Sequence, residues 1–93
     1  MQDYAEARQE ALNLATRVDK EVSRVGQGAT LETCADLLTD LAEANNTLEA
    51  MADMIPDVPF ETVNNVMVPL LQDRVFPLMR EIINRLEPLP ANT

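Results

Sequence analysis

Thr30-Leu31-Glu32-Thr33-Cys34-Ala35-Asp36-Leu37-Leu38-Thr39-Asp40-Leu41-Ala42-Glu43 carries two interleaved patterns, and both have helical spacing. Cys34, Leu37, Leu38 and Leu41 form an apolar stripe that Leu48 extends, followed by Met51 or Ile55. Glu32, Asp36, Asp40 and Glu43 step by four, four and three residues, which holds them within about 80° of one another on the opposite side of the helix. Thr30 suits the N-cap, and Glu32 in the first turn favours the helix dipole. The pattern predicts a helix over residues 31–54. Asn45-Asn46 lower its propensity without ending it. Ile55-Pro56-Asp57-Val58-Pro59 ends it, since each proline disfavours helical geometry in the residue before it.

Upstream, Tyr4, Ala7, Ala11, Leu14, Ala15, Val18, Val22 and Val25 recur at helical intervals and mark a first helix over residues 4–25. Asp3 with Glu6 has the form of a capping box in which Asp replaces Ser or Thr. Alanine supplies much of this face, so a neighbouring helix can approach closely. Gly26-Gln27-Gly28 is the expected end, because glycine readily takes the left-handed conformation needed past a helix C-terminus.

Downstream, Pro59 suits a first helical position and Glu61 follows in the first turn. Fourteen of the 27 residues from 60 to 86 are apolar, more than one groove between two helices is expected to absorb. Pro69 and Pro77 fall inside the pattern, and each removes a helical hydrogen bond and presses on the turn before it. On an ideal wheel the apolar face drifts by about a quarter turn between residues 60–70 and 75–86. A break or strong kink near Pro69, with a lesser kink near Pro77, is the expected solution. Leu86-Glu87-Pro88-Leu89-Pro90 ends the helical part, and residues 91–93 form a tail. The expected fold is all-α: a small antiparallel bundle of three to four helices, making one domain over residues 1–90.

Composition narrows the function classes. The 93 residues hold 16 carboxylates against seven cations, for a net charge of −9. Such a balance opposes contact with nucleic acid and with anionic membrane surfaces. No apolar run reaches the roughly 18 residues that span a bilayer. Met1-Gln2-Asp3-Tyr4 lacks the cationic start and apolar core of a signal peptide, and the single Cys34 allows no internal disulfide; a cytoplasmic location is the expectation. With no histidine, His-based acid–base catalysis and most transition-metal sites are ruled out. The carboxylates lie on a helix rather than in a glycine-turned loop, which does not suit calcium. No cofactor or metal is expected.

Four groups of side chains are candidates for function. Between Val25 and Gln72 there is no Lys or Arg, and eight carboxylates: Glu32, Asp36, Asp40, Glu43, Glu49, Asp53, Asp57 and Glu61. The stripe Glu32, Asp36, Asp40, Glu43 is either a solvated face or a recognition surface for a basic partner, in the extreme an imitation of DNA phosphates. Arg8, Arg17, Arg24, Arg74, Arg80 and Arg85 occupy the two outer segments. They could surround a small anionic metabolite, as in a small enzyme, or pair with nearby carboxylates such as Asp73, Glu81 and Glu87. Cys34 has no adjacent base and reads as a small buried hydrophobe. Phe60, Val66, Met67, Leu71, Val75, Phe76, Met79, Ile82 and Ile83 form the expected interface with a second copy or a client, because surplus apolar surface on a small chain marks contact. The resulting expectation is a non-catalytic binding module of the inhibitor, adaptor or chaperone type, acting as a homodimer.

Overall fold

The computed structural model describes residues 3–54, 57 and 59–91. Ile55, Pro56 and Val58 of the expected helix stop, and Asn92 and Thr93 of the expected tail, lie outside them. The fold is all-α. Helices α1 (Tyr4–Val25) and α2 (Gln27–Ala52) form a hairpin. A third rod, made of α3 (Phe60–Leu70), a π-helical turn (Leu71–Val75) and α4 (Phe76–Leu86), packs against both. The Tyr4 amide donates to Asn64 Oδ1 at the start of the third rod, at 2.9 Å, and Arg24 reaches the Leu86 carbonyl at its end. The third rod therefore runs parallel to α1, and α2 returns antiparallel to both.

The first helix has the bounds its periodicity gives. Asp3 Oδ1 accepts from the Glu6 amide at 2.9 Å, the capping bond expected of that pair. Gly26 alone makes the corner to α2. Its φ of 89° lies where side-chain-bearing residues rarely go. Its amide donates to the Val22 carbonyl and its own carbonyl accepts from the Thr30 amide, so this one residue closes one helix and opens the next. Gln27 and Gly28 are already helical, and α2 begins four residues before the expected start. Thr30 is thus not an N-cap but a buried residue of the first turns, with its hydroxyl donating to the Gly26 carbonyl at 2.9 Å. An irregularity that the spacing does not predict lies at Cys34, whose φ of −128° and ψ of 18° kink α2.

The third rod absorbs its two prolines without leaving helical geometry: Leu70, Leu71, Val75 and Phe76 all have αR dihedrals. The irregularity expected near Pro69 takes the form of the π turn that follows it, in which the Phe76 amide donates to the Leu71 carbonyl, five residues back. Such a turn holds one residue more than an α turn and sets back everything after it by about 100° on the wheel. That offset cancels the quarter-turn drift of the apolar pattern. Val63 and Met67 before the turn, and Met79, Ile82 and Leu86 after it, consequently face the α1–α2 hairpin from one continuous rod.

This arrangement corrects the expected interface. Met67, Leu71, Val75, Phe76, Met79, Ile82 and Ile83 are all buried inside the single chain, and all but Met67 share one core with Ala7, Leu14, Val18 and Val25 of α1 and Cys34, Leu37, Leu41 and Ala44 of α2. The excess of apolar residues is spent on two neighbours at once, because the third rod lies in the furrow of the hairpin rather than beside one helix. Of the nine, only Phe60, 66% exposed, and Val66, 44% exposed, remain at the surface.

Candidate functional site

The acidic edge of α2 is built by helical register. Glu32, Asp36, Asp40 and Glu43 are all exposed, on the flank of α2 away from α1 and beside the third rod. Asp40 and Glu43 line a shallow cleft of about 290 Å³ with Asp73, Arg74, Pro77 and Leu78, so a carboxylate and a guanidinium of the third rod join the edge. Asp36 differs from the other three. Its Oδ1 accepts from Arg85 Nη1 at 3.3 Å. The same guanidinium group donates to the Thr33 carbonyl at 3.2 Å and to Glu81 Oε1 at 3.4 Å. Arg85 thereby ties α4 to α2 at the Cys34 kink. Among the described residues Glu32, Asp40 and Glu43 have no ion-pair partner, leaving a negative edge that is only partly relieved.

Among the described residues three of the six arginines, Arg24, Arg80 and Arg85, hold helices together. Arg24 is the clearest case: its guanidinium group donates to the carbonyls of Leu86 at 2.8 Å, Glu87 at 3.1 Å and Leu89 at 2.5 Å, and its Nη2 lies 2.6 Å from Glu21 Oε2. A cation placed on the free carbonyls of a helix C-terminus satisfies both their lone pairs and the helix dipole. Arg80 pairs with Glu10 across to α1 at 3.3 Å and lies 5.6 Å from the centroid of the buried Phe76 ring. Arg8 lines a groove near the start of α1, far along the helix from Arg24, and the six do not converge on one cavity.

Cys34 is fully buried, and burial pushes its thiol pKa up, with Asp36 and Glu81 adding to the rise against the opposing pull of Arg85. A thiol held protonated is a poor nucleophile. Among the described residues no group of three or more His, Cys, Asp or Glu could hold a metal ion, and no helix is long and apolar enough to cross a membrane.

The seam between α1 and α2 is a surface that sequence reasoning missed. Close packing of the hairpin onto the third rod leaves α1 and α2 splayed. At the open end of the hairpin a groove of about 260 Å³ has Arg8, Ala11, Leu12 and Ala15 on one wall, Asn45 and Leu48 on the other, and Leu71, Val75 and Met79 as floor. Near the Gly26 corner a second groove, about 240 Å³, runs between Val22 and the residues Thr30, Leu31 and Leu38. Leu12 is 50% exposed and Leu31 60% exposed on these rims. Leu12 lies outside the main stripe of α1, and Leu31 falls at the expected helix start; neither pattern marks them as a shared surface. A further cleft, about 490 Å³, is lined by Asp3, Glu61, Asn64, Asn65 and Gln72 together with Val68 and Pro69, beside the α1 N-terminus, where Asn64 is already bonded to Tyr4.

No protein-family model matches the chain, and no curated protein or solved structure is significantly similar to it. The functional reading rests on the surfaces themselves.

Proposed function

We propose that the chain is a cytoplasmic, non-catalytic binding module that docks on a basic partner protein through the acidic edge of α2. The observation that carries the reading is that Glu32, Asp40 and Glu43 stay exposed without ion-pair partners among the described residues, on a chain whose net charge is −9. Like charges at neighbouring helical positions cost the helix a few tenths of a kcal/mol per pair, so the edge does not serve the stability of α2. An edge of this kind attracts a cationic surface at long range, speeds encounter and rejects acidic competitors. Asp36 contributes less than the others, because Arg85 already neutralises part of its charge.

The test compares capture from lysate by the wild-type chain and by Glu32→Gln/Asp40→Asn/Glu43→Gln, at low and at physiological salt. The reading expects one basic protein that is retained by the wild type, weakened at least tenfold by the triple substitution, and released as ionic strength rises. Equal retention by both proteins, with unchanged circular dichroism, would show that the edge is only a solvated face.

A further inference from the structure

The other flank of α2 carries a single carboxylate, Glu49, at its far end. Leu31, Ala35, Leu38, Ala42 and Asn45 follow one another along the side that faces α1, and none is charged. The matching stripe of α1 reads Arg8, Leu12, Ala15, Asp19, at steps of four, three and four. Its two charges cancel. Both are exposed, and among the described residues neither Arg8 nor Asp19 has an ion-pair partner, whereas Arg24, Arg80 and Arg85 all do. Exposed leucines line the two grooves of this face.

The stripe is complementary to itself. Arg8 and Asp19 lie equally far from the midpoint between Leu12 and Ala15, roughly 16 Å apart along the helix axis. A two-fold axis through that midpoint lays α1 antiparallel on a second α1. It sets Arg8 opposite the partner's Asp19, and Leu12 opposite the partner's Ala15, each contact occurring twice as an isologous interface requires. Alanine lets the two helices approach closely, and the two hairpins together close a four-helix layer over the grooves. Net charge selects the same face: two chains of −9 repel, and they do so less here, where the α1 charges cancel and the α2 flank carries Glu49 alone, than with the acidic edges opposed.

We infer that the chain self-associates through the α1–α2 face as a two-fold antiparallel homodimer, in which Arg8 of each copy pairs with the partner's Asp19. This does not depend on the acidic edge binding anything.

Sedimentation equilibrium over the micromolar range tests it on the full chain. The wild type sediments at twice the chain mass. Arg8→Asp and Asp19→Arg each place like charges opposite one another at two positions, and each weakens the dimer about tenfold. Combining both substitutions in one chain restores opposite charges and recovers wild-type association. Mixing the two single variants also recovers it, because an all-acidic stripe then faces an all-basic one; recovery by the double substitution within one chain is what a parallel contact, which would oppose like charges in both cases, does not provide. A wild type that remains monomeric overturns the inference. So do single variants that dimerise like the wild type, or a mixture no better than its components. Melting curves of the single variants, at exposed positions, establish that they remain folded.

Discussion

The two flanks of α2 face each other across one helix yet have opposite chemistry. Toward the third rod it displays Glu32, Asp36, Asp40 and Glu43; toward α1 it displays Leu31, Leu38 and Asn45 with alanines between and Glu49 at the far end. The core between them, Cys34, Leu37, Leu41 and Ala44, is the same for both. Burial therefore does not distinguish the flanks, and stability alone would not have separated charge from apolar surface so cleanly. The acidic flank gains little from the fold, since among the described residues only Asp36 of the four forms an ion pair. The apolar flank gains less than it could, since Leu12 and Leu31 remain half in water or more. Each flank is left unfinished by the chain itself, and the difference teaches that one is suited to a cationic surface and the other to an apolar, charge-matched one.

The largest effect expected concerns what lies beneath both flanks. Phe76 is 2% exposed, so Phe76→Ala should cost about 3–5 kcal/mol in urea unfolding and weaken the proposed binding by both flanks together. If it instead dissociated a dimer while leaving the chain as stable as before, Phe76 would be an interface residue, and the core described above would be wrong. Next in size is Arg24→Met, which strips the carbonyls of Leu86, Glu87 and Leu89 of a charged donor and should lower stability by about 1–2 kcal/mol. Hydrogen exchange should then rise first at the end of α4, with both flanks of α2 unaffected.

Cys34→Ala should cost roughly 1–2 kcal/mol through lost packing, and the thiol should label slowly in the folded chain. The sign of its pH dependence follows from burial. The folded-state pKa is raised, so folding favours the protonated thiol. Its contribution is complete below the ordinary thiol range and is lost as pH rises through the folded-state value. Chemical denaturation of the wild type should show an alkaline decline that Cys34→Ala lacks. Smallest of all is the stability change in Glu32→Gln/Asp40→Asn/Glu43→Gln: within about 0.5 kcal/mol per site, and in the stabilising direction if repulsion is relieved. A melting temperature that falls sharply would mean that these carboxylates are paired or buried, which would break the comparison between the flanks.

Much of this fold is legible in the sequence because it is written in local periodicity. The bounds of α1, the Asp3 cap and the apolar stripe of α2 follow from spacing alone. What spacing does not contain is how many partners a helix has. The apolar residues of the third rod looked surplus because they were weighed against one groove, whereas Phe76, Ile82 and Ile83 are buried between two helices. The π turn is a related case: the quarter-turn drift was visible, but a drift can be answered by a bend or by under-winding, and only packing on both hairpin helices selects the second. Thr30 was misplaced because Gly26 alone turns the chain, which left Gln27 and Gly28 free to extend α2. The acidic edge was fully legible, down to its four residues. Its discount at Asp36 was not, since Arg85 is distant in sequence. The α1–α2 seam was illegible for the same reason: Leu12 and Leu31 share a surface only once the hairpin splays.

The central claim is that the two flanks are separable surfaces on one scaffold, and sedimentation of two flank variants beside the wild type tests it most directly. One carries Leu12→Lys/Leu31→Lys on the apolar flank, and the other Glu32→Gln/Asp40→Asn/Glu43→Gln on the acidic flank. With circular dichroism unchanged in both, the account predicts that the leucine variant sediments as a monomer while the acidic-edge variant keeps the wild-type dimer mass. A leucine variant that remains dimeric, or an acidic-edge variant that dissociates, would contradict it.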